Sequence, residues 1–84
     1  MLAMAAAFGA QSGLSQAERA MATYIDAHAD EAIALLERVV NINSGTMNLE
    51  GVRQVGAIFR TELEALGFKT EWVDGSSWQR AGHL

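Results

Sequence analysis

Cysteine is absent from this 84-residue chain, which excludes disulfides and thiolate metal sites and leaves the redox compartment undecided. Basic residues are few: six Lys and Arg residues stand against ten Asp and Glu residues, for a formal net charge of −4. Because the basic residues are scattered singly, no basic patch can form, and nucleic acid is not an expected partner. No apolar run reaches the roughly twenty residues that a transmembrane helix needs, so we expect no membrane span.

Common catalytic motifs are missing as well. The chain contains no Gly-x-Ser-x-Gly elbow, no phosphate-binding loop and no dinucleotide-binding fingerprint. What is present is a composition with 50% hydrophobic and 19% charged residues, which is typical of a globular chain rather than a disordered one. A chain of this length forms one small domain at most, and it buries only about two-thirds of its unfolded surface.

Residues 1–10, MLAMAAAFGA, differ from the rest of the chain because they are apolar, uncharged and rich in small side chains. This pattern is similar to the core and cleavage region of a secretory signal, although the first basic residue is Arg19. Two interpretations stay open: a truncated signal peptide, or a disordered leader. The first predicts a periplasmic or secreted protein, and the second a cytoplasmic one. Residues 11–14 are interpreted as a linker.

Helix signals begin after this linker. Ser15 and Glu18 have the spacing of a capping box and predict a helix that runs to a break near residues 29–30, where a second helical stretch begins. A third amphipathic helix is predicted from an Asn48 cap to a stop at Gly67. A glycine inside this helix, Gly56, predicts that another backbone packs closely there.

Residues 68–73, FKTEWV, alternate in the manner of a strand, and residues 74–77 predict a turn. No partner strand is evident in the sequence, and an isolated strand would leave its backbone groups unpaired. We therefore expect neighbouring strands to come from elsewhere. Helix, helix and strand in this order predict an α/β fold, a layered domain of which this chain is an incomplete part.

Three groups could carry chemistry, and each is interpreted as structural. His28-Ala29-Asp30 spells His-x-Asp, but on a helix residues i and i+2 diverge by about 200° and cannot share a metal. His83 is a single imidazole, whereas zinc needs three or four ligands. Ser44 could be a nucleophile only with a base in reach, and its neighbours in sequence are Asn, Gly and Thr. No catalytic, cofactor-binding or metal-binding residue is therefore assigned.

The segment LLERVVNINSGTMNLEGVRQVGAIFRTELEALGFKTEWVD, from Leu35 to Asp74, carries a resemblance. Its apolar helix, Asn-Ser-Gly-Thr turn, second helix with Leu-Gly-Phe, and strand resemble the opening of the co-catalytic zinc metallopeptidases. This family includes glutamate carboxypeptidase, aminoacylase and succinyl-diaminopimelate desuccinylase. The resemblance extends more loosely to Leu84. It implies that residues 15–84 form the N-terminal helix-helix-strand part of a layered zinc-exopeptidase catalytic domain.

The function implied by this resemblance is that of a parent hydrolase. Two zinc ions would activate a water for attack on a peptide or N-acyl amino acid amide, and the parent would often be a homodimer. The family's strand His-x-Asp, its Glu pair, its later carboxylate and its final His have no counterpart here. The resemblance therefore assigns neither a metal ligand nor a catalytic residue to this chain, and whether the chain is itself an enzyme stays open. The alternative function is a small non-catalytic helical interaction module.

Overall fold

The computed structural model describes residues 13–84. The predicted leader, residues 1–10, and the first two residues of the predicted linker lie outside the described residues. The chain divides into two compact units, one ending at Ile33 and the other beginning at Ala34.

The described residues form a mixed α/β structure with three α-helices and one two-stranded sheet. The helices are α1 (Gln16–Ala27), α2 (Ala29–Val40) and α3 (Leu49–Ala65). The strands are β1 (Val73–Asp74) and β2 (Gly82–His83), and a short 3-10 turn, Ser76–Trp78, lies between them.

The start of α1 confirms the predicted capping box. The Ser15 hydroxyl accepts a hydrogen bond from the Glu18 amide at 3.1 Å, and the Glu18 carboxylate accepts one from the Ser15 amide at 2.7 Å. Both bonds satisfy amides that have no partner inside the helix. The predicted break is also confirmed, because His28 ends α1 and α2 begins at Ala29.

Both predicted ends of α3 are confirmed. The Asn48 side chain accepts a hydrogen bond from the Gly51 amide at 3.1 Å and so caps the first turn. After the last turn, Gly67 has a φ of 92°, a left-handed conformation that ends helices and that glycine adopts without steric cost. These signals are local, so the residues that make each cap lie within a few positions of one another.

The prediction of an unpaired strand over residues 68–73 was wrong. The strand is only Val73–Asp74, and it pairs antiparallel with Gly82–His83, so that Val73 lies opposite His83 and Asp74 opposite Gly82. The chain thus supplies a partner for its own strand through a hairpin. The argument that other strands must come from elsewhere no longer holds for β1.

The reason given for Gly56 was also wrong in one respect. A close neighbour does explain the glycine, but this neighbour is the Trp72 side chain and not another backbone. A Cβ at position 56 would lie 2.6 Å from Cζ3 of the Trp72 indole. A glycine in the middle of α3 therefore makes room for an aromatic ring.

Burial of apolar side chains is slight. Among the described residues, Ala81, which is 2% exposed, is the only buried hydrophobic side chain. In the unit that ends at Ile33, the exposed large apolar side chains are Leu14, Met21, Tyr24, Ile25 and Ile33. In the unit that begins at Ala34, they are Leu36, Val40, Met47, Phe59, Leu66, Phe68, Val73, Trp78 and Leu84.

The apolar side chains that recur at helical spacing along α3 are only partly covered. Val52, Val55 and Leu63 are half-buried, whereas Leu66 is 71% exposed. The apolar residues of α3 thus recur with the spacing of a buried helix face, but the described residues cover this face only in part. None of the described helices is long and apolar enough to cross a membrane.

Candidate functional site

The Asn-Ser-Gly-Thr segment leads into a tight turn between α2 and α3, which a hydrogen bond between Gly45 and Asn48 closes. The Asn43 carboxamide accepts a hydrogen bond from the Gly45 amide at 3.4 Å, and the Gly45 carbonyl accepts one from the Asn48 amide at 2.8 Å. These bonds hold the backbone on both sides of Ser44 and Thr46. No side-chain hydrogen bond is formed by either hydroxyl within the described residues.

The turn lies directly against the first turn of α3. Gly51 is buried there, and a Cβ at this position would overlap the backbone carbonyl of Asn43. The close approach fixes the turn relative to the helix that follows it, because a methyl group would force the two backbones apart.

The hairpin loop is held by backbone hydrogen bonds centred on Gly75. Its carbonyl accepts from the Trp78 amide at 2.9 Å and from the Arg80 amide at 3.0 Å, and its own amide donates to the Ala81 carbonyl at 3.2 Å. Gln79 has a left-handed φ of 55°, which reverses the chain just before Arg80. Backbone hydrogen bonds at Arg80 and at Ala81 therefore hold the main chain from which the Arg80 side chain extends.

The guanidinium of Arg80 connects the hairpin loop with the Asn-Ser-Gly-Thr turn. Its Nη1 donates to the Gln79 carbonyl at 3.0 Å, lies 3.5 Å from the Trp78 carbonyl, and contacts the Met47 sulfur at 3.6 Å. Nε and Nη2 have no partner among the described residues. Arg80 is thus anchored by one nitrogen and keeps the others free.

A cavity of about 270 Å³, the turn–hairpin cavity, lies between these two loops. Its polar lining residues are Ser44, Thr46, Arg80 and His83, and neither Asp nor Glu lines it. The lining residues are Ser44, Thr46, Val52, Arg80, Ala81, Gly82 and His83.

Two residues that sequence analysis treated separately, Ser44 and His83, therefore line one cavity. Along the sequence, Ser44 has only Asn, Gly and Thr as neighbours, and His83 stands as a single imidazole. The missed signal is the turn at residues 74–77 followed a few residues later by the short segment that ends at Leu84, a pattern consistent with a hairpin that has a longer loop.

The His-x-Asp residues, His28 and Asp30, are not arranged to bind a metal ion together. His28 stacks on Tyr24 with ring centroids 3.8 Å apart, and its Nδ1 donates to the Tyr24 carbonyl at 2.8 Å. Asp30 lies in the first turn of α2, where a negative charge is favourable. Within residues 13–84, no group of three or more His, Cys, Asp or Glu side chains could hold a metal ion.

A second cavity, of about 230 Å³, lies beside the Trp72 indole between Arg53 and Arg60. One of these two cations, Arg60, pairs with a carboxylate. Arg60 Nε lies 3.0 Å from Glu64 Oε1, and the charge of Arg53 contributes to the lowered pKa of Asp74. The larger contributions to that pKa are the hydrogen bonds from the Ser76 hydroxyl and amide.

The pKa of Glu64 is also lowered. The main cause is the hydrogen bond from the Thr70 hydroxyl at 2.5 Å, and the second is the hydrogen bond from Arg60. Neither carboxylate is desolvated enough to be kept protonated, as a general acid would need to be. The geometry at this second cavity is therefore that of surface ion pairing.

Compared with known proteins, this chain matches no family model, no curated protein and no solved structure.

Proposed function

We propose that this chain forms the N-terminal scaffold of a zinc-dependent metallopeptidase or amidohydrolase similar to glutamate carboxypeptidase. Such a parent cleaves peptide bonds or the amide bonds of N-acyl amino acids. The observation that carries the proposal is the order of sequence features from Leu35 to Asp74: apolar helix, Asn-Ser-Gly-Thr, second helix with Leu-Gly-Phe, and strand.

The arrangement of the described elements supports this proposal. The Asn-Ser-Gly-Thr turn joins α2 to α3, Gly67 ends α3, and β1 follows. This order of elements is the one that the resemblance implies, although β1 is shorter and begins later than the predicted strand. The two-stranded sheet is also compatible with the edge of a larger α/β sheet.

The exposed apolar side chains support a scaffold role. Leu36, Val40 and Leu66 are each more than half exposed, although they lie at the periodic positions where a helix presents its buried face. Scattered exposed apolar residues are ordinary, but large contiguous ones mark surfaces that pack against other protein. In a layered domain, further elements would cover these faces.

The described residues do not fit the family's metal site. His28 uses Nδ1 to bond the Tyr24 carbonyl, and His83 has no second His, Asp or Glu in its cavity. Zinc needs three or four ligands. In this proposal the two zinc ions and the catalytic groups belong to other residues of the parent, and the described residues position them only through packing.

The proposal includes the properties that the resemblance implies for the parent: a peptide or N-acyl amino acid substrate and a homodimer. It also includes export to the periplasm or the exterior, for which the apolar residues 1–10 are the motivation.

The direct test is to read the encoding gene beyond the codon for Leu84. We expect an apolar strand followed by Gly-His-x-Asp within some tens of codons. The full-length product should then release an amino acid from a peptide or N-acyl substrate only when zinc is supplied. A stop codon directly after Leu84, or a continuation without these residues, would overturn the proposal.

The alternative, a small non-catalytic helical interaction module, is favoured by the hairpin, because β1 finds its partner within this chain. A module predicts that the purified 84-residue polypeptide melts in one cooperative transition by circular dichroism. A scaffold with uncovered faces predicts a broad transition or none.

A further inference from the structure

We propose that the turn–hairpin cavity binds a small oxyanion, namely the carboxylate or phosphate group of a ligand. This inference concerns residues 44–83 alone and is independent of the proposed hydrolase function.

The charge of the lining is the first reason. The chain has ten acidic and six Lys or Arg residues, yet no acidic residue lines this cavity, whereas Arg80 does. At the Trp72 cavity, by contrast, Arg60 has a carboxylate partner in Glu64. Arg80 has no such partner among the described residues. A cation without an internal counterion favours an external anion.

The hydrogen-bonding groups are the second reason. The hydroxyls of Ser44 and Thr46 and two nitrogens of Arg80 have no protein partner within residues 13–84. All of them can donate, and a guanidinium binds carboxylate and phosphate oxygens in a bidentate manner. The set therefore matches a ligand that offers several acceptor oxygens and a negative charge.

Preorganisation is the third reason. Arg80 Nη1 is bonded to the loop carbonyls and contacts Met47, and the Arg80 amide is bonded to the Gly75 carbonyl. The turn around Ser44 is held by the Gly45–Asn48 hydrogen bond of 2.8 Å. Binding thus orders fewer side chains than it would on a flexible surface, which lowers its entropic cost. Apolar Val52 and Ala81 also line the cavity.

The test is a titration followed by amide and arginine side-chain NMR at constant ionic strength. It uses the 84-residue polypeptide if that polypeptide melts in one cooperative transition, and otherwise the full-length product that contains residues 44–83. Inorganic phosphate and sodium acetate are the two probes, and sodium chloride is the reference. We expect saturable shifts at Ser44, Thr46, the Arg80 Nε–H and His83 with one or both oxyanions. The probe that saturates at the lower concentration, phosphate or acetate, identifies whether the cavity prefers a phosphate or a carboxylate group. Shifts with chloride of the same size and pattern would overturn the proposal.

Variants separate a site from general surface charge. Ser44→Ala combined with Thr46→Ala removes two donors that have no structural partner, and it should weaken binding about tenfold. Arg80→Lys keeps the charge but loses the bidentate geometry, and it should weaken binding at least as much.

Arg53→Gln is the matched control, because it removes one positive charge from the other cavity, and it should leave the affinity unchanged. Arg80 also anchors the hairpin loop, so Arg80→Lys could unfold the protein. In that case the double variant, Ser44→Ala with Thr46→Ala, shows whether the cavity binds the oxyanion. Equal weakening by Arg53→Gln, or no weakening by the double variant, would overturn the proposal.

Discussion

The indole of Trp72 occupies the space that a side chain at position 56 would fill, since a Cβ on Gly56 would lie 2.6 Å from the ring. The same indole lies against Gly82, where an added Cβ would be 2.8 Å from Nε1. Trp72 is thus held between two glycines, one on α3 and one on β2. This contact connects the helix with the hairpin, although Gly56 and Trp72 are sixteen positions apart along the chain.

Gly56→Ala should therefore destabilise the protein, even though alanine is the better helix former. The propensity gain is about 1 kcal/mol. Overlap with a held aromatic ring costs about 1–3 kcal/mol beyond this gain. Urea unfolding followed by far-ultraviolet circular dichroism measures the difference, on the 84-residue polypeptide if it unfolds cooperatively and otherwise on the full-length product. In a Trp72→Ala background the same substitution should become stabilising, and a loss of equal size in both backgrounds would contradict the contact.

Gly51→Ala should be more damaging, because the added methyl meets the Asn43 backbone and not a side chain. We expect a loss of about 2 kcal/mol or more, as is typical of severe core overlap. Gly45→Ala, in the loop that precedes α3, is the control, because its nearest neighbour would be the Asn43 side-chain oxygen at 3.7 Å. Chemical denaturation of the two variants should differ clearly, and similar losses would argue against the close approach at Gly51.

Ser15→Ala should loosen the start of α1. It removes the hydroxyl that accepts from the Glu18 amide, at a cost of about 1 kcal/mol for a helix cap. Amide exchange at Glu18 should become faster, while exchange in α3 should not change. Ser15→Asp restores an acceptor and should recover most of the protection. Unchanged exchange at Glu18 in Ser15→Ala would show that the cap contributes little.

The lowered pKa of Asp74 predicts a pH dependence. Hydrogen bonds from the Ser76 hydroxyl and amide favour the charged carboxylate in the folded state. Its contribution to stability is therefore complete above the unfolded-state pKa and is lost as the pH falls through the folded-state pKa. NMR titration of the carboxyl carbon should show a pKa below the ordinary value, and Ser76→Ala should raise it. Ser77→Ala, which removes a neighbouring hydroxyl, should leave it in place.

The features that sequence analysis predicted correctly are those decided by near neighbours in the chain. Ser15 caps α1 through Glu18, Asn48 caps α3 through Gly51, and Gly67 ends α3. Each interaction spans three residues or fewer, so the pattern that causes it can be read directly from the sequence.

The features that were missed depend on residues far apart. Val73 pairs with His83 across a loop, and the Trp72 indole occupies the space that a side chain at position 56 would fill. Ser44 and His83 share a cavity although they are nearly forty residues apart. An alternating segment such as residues 68–73 predicts strand character but not which segment it pairs with, because register depends on packing that no short window contains.

The exposed apolar side chains also affect the solubility of the purified polypeptide. The isoelectric point of the protein is near 4.9, so electrostatic repulsion between molecules vanishes in mildly acidic buffer. Under these conditions the exposed apolar side chains of neighbouring molecules can associate, among them Met21, Ile25, Leu66 and Trp78. Precipitation should accordingly be worst close to that pH and should increase on adding ammonium sulfate, whereas slightly alkaline, dilute preparations should stay clear.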